Sequence, residues 1–191
     1  LHTVAYLTRP REHETESGDA VVVRDHGEIL TFAVIDALGH GPVAAAVAER
    51  ARTVLLTASP EADALTLLTA LHEGLSQTRG AAALVCVVRG NSIEGCGVGN
   101  VEMRTLGSPV PVVLSPGILG SKVRKFRPFA HKLTAPTRVI VFTDGISPRF
   151  SSAELRTLSP QTACERLFAG HRRAHDDASV LVADLGALAT A

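Results

Sequence analysis

Three short β-rich runs open the chain, His2 to Thr8, Ala20 to Asp25 and Leu30 to Ile35, in which Val, Ile, Phe and Thr dominate. Asp25-His26-Gly27 punctuates between the second and third, so that pair reads as an antiparallel hairpin. The period then changes. Beyond Asp36 the chain passes Gly39, Gly41 and Pro42 into Val43, Ala44, Val47, Ala48, Ala51, Val54 and Leu55, a helical repeat expected to run to Thr57, with Pro42 suited to the first turn. Ser59 and Pro60 resemble the N-cap and first position of a second helix, with Leu65, Leu68, Leu71 and Leu75 on one face and an end near Arg79-Gly80. The tight connection between the two helices predicts that they pack together.

Strand patterning returns in Ala82 to Arg89, Ser92 to Val98 and Glu102 to Leu106. Gly90-Asn91 and Gly99-Asn100 join these runs, and both pairs form turns, so successive hairpins are expected. From Gly107 to Pro136 the chain is rich in Gly, Pro and Ser and carries Lys122, Arg124, Lys125, Arg127 and Lys132. That cluster reads as a solvated loop, or as a docking face for an acidic or phosphorylated protein. Arg138 to Phe142 restores a strand, Ser151-x-x-Glu154 has the capping-box spacing of a short helix, Pro160 to His171 reads as another helix, and Ser179 to Leu185 is a last apolar strand. Helices set between blocks of hairpins predict an α+β fold, with antiparallel sheets inside and helices outside, rather than a parallel α/β sheet.

Composition narrows the function classes. The 191 residues are 46% apolar and 20% charged, enough to bury a sizeable core, and one domain over residues 1–191 is expected. Nineteen Lys and Arg balance nineteen Asp and Glu, without the basic excess of a nucleic-acid or membrane-surface binder, so neither partner is expected. No apolar run reaches membrane-spanning length, and Leu1 to Pro10 lacks the basic-then-apolar order of a signal peptide, which points to the cytoplasm. Cys86, Cys96 and Cys164 form no C-x-x-C pair and read as buried thiols. Gly95-x-Gly97-x-Gly99 is not followed by the helix a dinucleotide site needs, and His175-Asp176 lacks the further His ligands of a metal-dependent His-Asp hydrolase.

The candidate chemistry lies in acids placed at strand ends. Asp36 and Asp144 each leave the carboxyl end of an apolar strand, whereas Asp19 and the pair Asp176-Asp177 precede one. In an antiparallel sheet the start of one strand lies beside the end of its neighbour, so these positions can share one rim. Asp is also an ordinary turn residue, and spacing alone leaves that reading open. Carboxylates gathered at one rim repel unless cations neutralise them, and oxygen donors favour Mg²⁺ or Mn²⁺ over softer metals. Glycines beside the acids, in Asp36-Ala37-Leu38-Gly39-His40-Gly41 and Thr143-Asp144-Gly145, fit sharp turns or close backbone approach.

Ser17-Gly18-Asp19, Asp36-x-x-Gly39-His40-Gly41, Thr143-Asp144-Gly145 and Asp176-Asp177-Ala178-Ser179 occur in an order that resembles the PPM (type 2C) serine/threonine protein phosphatases, in their bacterial sporulation and stress-response branch. The likeness spans nearly the whole chain. Arg79-Gly80-Ala81, Val98-Gly99-Asn100-Val101 and Gly117 to Gly120 add to it and resemble a small branch member without sensor domains that acts on the stressosome.

The resemblance implies a four-layer α-β-β-α sandwich with two central antiparallel sheets, and a hydrolase using two Mn²⁺ or Mg²⁺ ions. Asp36 would bridge both ions, Asp19 would bind one, Asp144 and Asp176 would hold the other, and the Ala37 carbonyl would add a ligand. Asp177 would be structural. Such a pair of cations acidifies a shared water and offsets charge on the attacking and leaving oxygens of a phosphomonoester. The implied partners are phosphorylated regulatory proteins of the stressosome scaffold or antagonist type, met by a monomer. The alternatives are a catalytically silent phosphoprotein-binding module of the same fold and a hydrolase of a small phosphorylated metabolite.

Three positions depart from the family pattern. Ala37 stands where Gly is frequent, and a positive φ there would be strained. His40 follows Asp36 by four residues rather than two, and reads either as a helix-start residue or as a proton donor. No arginine stands at Thr15 or its neighbours, where eukaryotic relatives place one for the phosphate.

Overall fold

The computed structural model describes residues 2–186. Among the described residues nine strands form two antiparallel sheets. The first, in order β1-β9-β8-β6, uses β1 (Thr3–Arg9), β6 (Glu102–Leu106), β8 (Thr137–Phe142) and β9 (Ala178–Leu185). The second, β2-β3-β4-β5-β7, uses β2 (Asp19–Asp25), β3 (Ile29–Ala37), β4 (Ala81–Arg89), β5 (Ser92–Val98) and β7 (Phe129–Lys132). Helices α1 (Gly41–Thr57) and α2 (Ala64–Gly74) cover the outer face of the five-stranded sheet, and α3 (Pro160–His171) covers that of the four-stranded sheet. The result is the expected four-layer α-β-β-α sandwich.

Strand periodicity explains the layering. In β4, buried throughout, Ala83, Val85 and Val87 face α1 and α2, while Leu84, Cys86 and Val88 face the other sheet. Phe32, Val34, Val139, Val141 and Leu181 complete the layer between the sheets. On the far side Ile140, Phe142, Val180 and Val182 pack against Cys164 and Leu167 of α3. Small residues Ala44, Ala48 and Ala51 bring α1 close to its sheet. All three cysteines are free and buried, and burial raises each thiol, Cys164 to about 12. None of the described helices is long and apolar enough to cross a membrane.

Several sequence expectations need correcting. Gly99-Asn100 does not close a hairpin: β6 leaves the five-stranded sheet and pairs with β8 in the other, so this turn carries the chain between layers. The second helix starts later than Ser59-Pro60. Asp63 is its N-cap, accepting from the Thr66 amide at 2.7 Å, because Arg89 on β4 binds the carbonyls of Glu61 and Ala62. It ends at Gly74 rather than near Arg79: the Ser76 and Thr78 amides turn to the Glu73 and Leu75 carbonyls, the Thr78 hydroxyl also donates to the Leu75 carbonyl, and Gln77 takes a φ of 65°. Ser151 caps with its carbonyl rather than its hydroxyl, and Ser152–Leu155 is a 3₁₀ turn. The segment from Gly107 to Pro136 contains β7, whose Phe129 ring lies over Gly95 of β5. Ala37 does not have a positive φ; it closes β3 in extended conformation, and no strain attends the change from glycine.

Candidate active site

Register brings the acids together. Asp19, first residue of β2, stands directly opposite Asp36 near the end of β3. In the facing sheet β8 and β9 are neighbours, so Asp144, two residues past β8, and Asp176, two before β9, lie at the same end of the sandwich. The Thr143 amide donates to the Ser179 carbonyl at 3.1 Å and fixes that junction. Asp36, Asp144 and Asp176 line one cleft of about 310 Å³, with Leu38, Gly39, His40, Ala82 and Asn100. Asp19 is not on the cleft surface. It is 5% exposed and reaches a separate hollow beside Ser17, Pro42 and Ala45.

The electrostatics are those of crowded carboxylates. Burial first, then Asp144 and Asp176, pushes the Asp36 carboxyl up to about 7. Asp19 is held well above the ordinary carboxylate range by burial and then by Asp36, against the opposing effect of a 2.6 Å hydrogen bond from Thr143 Oγ1. Asp176 is raised by burial and then by Asp144. Among the described residues no three His, Cys, Asp or Glu side chains are drawn together tightly enough to form a ready coordination set. The chemistry of the donors nevertheless suits a hard divalent cation: the cluster is all oxygen, and positive charge is what its raised proton affinities call for.

Asp177 does different work from Asp176. It is 4% exposed, and its carboxylate accepts from the Arg11 amide at 2.8 Å and the Gly18 amide at 2.7 Å, holding the segment that enters β2 at Asp19. Gly145 lies so close to the Asp177 carbonyl that a side chain there would collide with it. His40 stands at the N-cap of α1 without a capping hydrogen bond; its Nδ1 lies 3.1 Å from Glu14 Oε1, and the pair is solvent-facing.

Sequence reasoning assigned no role to three residues that shape this site. Asn100 Nδ2 donates to Asp144 Oδ2 at 2.8 Å. Arg173 Nη1 donates to the Asp144 carbonyl at 2.9 Å, and its amide donates to the Gly145 carbonyl at 2.8 Å. Thr143 supports Asp19. Thr143 carried a local signal in Thr143-Asp144-Gly145 and Asn100 in Val98-Gly99-Asn100-Val101, although there it also looked like a turn residue; Arg173 carried none.

Solved structures share the whole architecture. One described as the bacterial stressosome, a modular system adapted to control secondary messenger signalling, is 27% identical over 96% of this chain and 99% of its own, with a TM-score of 0.88. RsbX in complex with magnesium superimposes with a TM-score of 0.83 at 18% identity, covering 97% of this chain and 96% of that one. The chain has the PP2C phosphatase fold, shared with RsbX. The Mycobacterium tuberculosis serine/threonine phosphatase PstP shares the PP2C fold at 15% identity, with a TM-score of 0.74 and coverage of 97% and 99%. No family sequence model matches the chain, and no curated protein matches it in sequence. The PP2C likeness therefore rests on three-dimensional architecture.

Proposed function

We propose that the protein is a metal-dependent phosphoserine/phosphothreonine protein phosphatase acting on regulatory proteins of the stressosome type. The observation that carries this reading is the register pair Asp19–Asp36 at the same end of the sandwich as Asp144 and Asp176; burial, then neighbouring carboxylates, raises the proton affinity of Asp19, Asp36 and Asp176. Asp36, shared between two ions, would hold them together with Asp19, Asp144, Asp176 and the Ala37 carbonyl. Two Mn²⁺ or Mg²⁺ ions bound there would supply an acidified water and positive charge opposite the phosphate oxygens.

The chain's own residues set the stage for that chemistry. Asn100 and Arg173 orient Asp144 from its side chain and its carbonyl, and Thr143 holds Asp19 from the facing sheet. Asp177 fixes the backbone before Asp19 rather than offering its oxygens to an ion. His40, paired with Glu14, lines the cleft beside Asp36. The similarity to RsbX and to the stressosome structure supports the substrate class.

The test is Mn²⁺-dependent phosphate release from p-nitrophenyl phosphate and from a phosphothreonine peptide, with chelator and with Asp36→Asn as controls. Activity lost in both controls is the expected result. A protein that neither binds Mn²⁺ nor releases phosphate would instead be a phosphoprotein-binding module of the same fold.

A further inference from the structure

A second depression adjoins the cleft. Val43, Ala46, Val47 and Arg50 recur at helical spacing and form one wall along α1, and Gln77, Thr78 and Arg79 from the α2–β4 connection form the other, enclosing about 530 Å³. Its lining is apolar along α1, with Gln77, Thr78 and two guanidinium groups, and no carboxylate. Val43 is 53% exposed, and Leu38, which lines the cleft, is 38% exposed, so two large apolar side chains face solvent at the site. Among the described residues neither Arg50 nor Arg79 forms an ion pair, whereas Arg52, two residues on and on another face of α1, is spent on Glu49 and the Val21 carbonyl.

Groove and cleft share a wall. The Leu38 amide donates to the Gly80 carbonyl at 3.0 Å, and a Cβ added at Gly39 would stand 2.8 Å from Arg79 Nη1, so that guanidinium lies on the backbone forming the lip of the cleft. The loop presenting Arg79 is tightly determined. Gln77 has a φ of 65°, a conformation that costs a non-glycine residue free energy, and Thr78 Oγ1 both donates to the Leu75 carbonyl at 2.6 Å and accepts from the Gly80 amide at 3.0 Å.

We propose that this groove is the subsite for the polypeptide flanking the phosphorylated residue, and that it selects a flank with an apolar side chain and an acidic one. The inference rests on the phosphatase reading for its place beside the reacting phosphate. A cleft of carboxylates and cations recognises a phosphate without regard to the chain that carries it, so sequence preference must come from neighbouring surface. Val43 and Leu38 offer apolar contact, and the free guanidiniums match a carboxylate in forked geometry. The same charges repel a basic flank, which makes the preference a difference between partners.

The experiment compares two phosphothreonine peptides that differ only in their flanks, one apolar and acidic, one apolar and basic, with p-nitrophenyl phosphate as the substrate lacking a flank. Native protein, Arg50→Glu and Val43→Asp are assayed with Mn²⁺; both positions are exposed and outside the carboxylate cluster. The native protein is expected to favour the acidic flank in kcat/KM by about tenfold, the scale of one charge-assisted contact. Arg50→Glu should abolish or reverse that preference through KM, Val43→Asp should raise KM for both peptides, and p-nitrophenyl phosphate turnover should be unchanged. Equal kcat/KM for the two peptides, or variants that leave the peptide constants unaltered, overturn the groove while leaving the phosphatase. Should native protein release no phosphate from any substrate, the phosphatase reading fails, and fluorescence anisotropy of the same labelled peptides decides the groove. Tighter binding of the acidic flank, lost in Arg50→Glu, sustains it, and indifference to flank or variant overturns it.

Discussion

Thr143 and Asp19 are joined across the two sheets of the sandwich. The Thr143 hydroxyl, at the end of β8, donates to Asp19 Oδ2 at 2.6 Å and accepts from the Ser179 amide at 2.9 Å, both inside the protein. One hydroxyl thus ties the facing sheets together at the carboxylate cluster, and its donated proton commits Asp19 to the role of acceptor.

Removing that hydroxyl should cost both stability and cation binding. Thr143→Val keeps the volume but strands the Ser179 N–H and one Asp19 oxygen, a loss of roughly 1–3 kcal/mol. For a chain of this length each kcal/mol is worth about 2–4 °C in Tm. Thr143→Ser retains the hydroxyl and should stay near native in Tm and Mn²⁺ affinity, whereas Thr143→Val should fall in both. Thermal melts with and without Mn²⁺ separate the two variants, and equal behaviour would deny the hydroxyl its role.

Asp176 and Asp177 should separate by phenotype although they are adjacent. Asp177→Ala leaves the Arg11 and Gly18 amides without their acceptor, a hydrogen bond to a charged group worth roughly 1.5–3 kcal/mol. The expected result is a clear drop in metal-free Tm. Asp176→Ala removes a partly exposed carboxylate from a repulsive cluster and should leave metal-free Tm unchanged or higher, while weakening Mn²⁺ binding measured by calorimetry. The reverse pattern would exchange the two roles.

The difference between that pair was legible only in part before the fold was known. Near-continuous apolar runs along β3, β4 and β9 betray strands buried on both faces, so the antiparallel layering could be read directly, whereas acids at strand ends were open to a turn reading as well as to a shared rim. What could not be read depends on partners distant in the chain. Gly99-Asn100 has the same local chemistry whether it closes a hairpin or crosses between sheets, and β8, some forty residues on, decides it. Ser59 and Asp63 are equally good N-caps in isolation, and the choice falls to Arg89, which takes the carbonyls a longer helix would use. Asn100 acquires meaning only when the crossing sets it against Asp144.

Gly145 follows Asp144 because the chain passes too close to the Asp177 backbone for any side chain. Gly145→Ala must push apart the two loops that carry Asp144 and Asp176, and overpacking of this kind costs about 1–3 kcal/mol. A lower Tm together with weaker Mn²⁺ binding is expected, since both loops shift. Gly27→Ala, at a hairpin turn with open space around it, should lower Tm through its positive φ alone and leave Mn²⁺ affinity native. Loss of affinity in both variants would mean that global instability, not loop spacing, governs the site.

The raised Asp36 carboxyl sets the sign of a pH effect on the metal-free protein. A carboxyl whose proton affinity rises from 3.8 to about 7 on folding binds more proton in the native state between those values, so stability falls as pH climbs through that window. Asp19 and Asp176 shift in the same direction. Asp36→Asn removes the largest cleft contribution, so chelator-treated variant and native protein should melt at similar temperatures near pH 4, with the variant pulling ahead progressively to several degrees near pH 7.5. Adding Mn²⁺ near pH 7.5 should then raise the native Tm and raise that of the variant much less, because a ligand stabilises only the folded state that binds it. A Tm difference that stays constant with pH would mean that Asp36 ionises like a solvent-exposed carboxylate, and the crowding of acids at this rim would no longer explain why the site needs a cation.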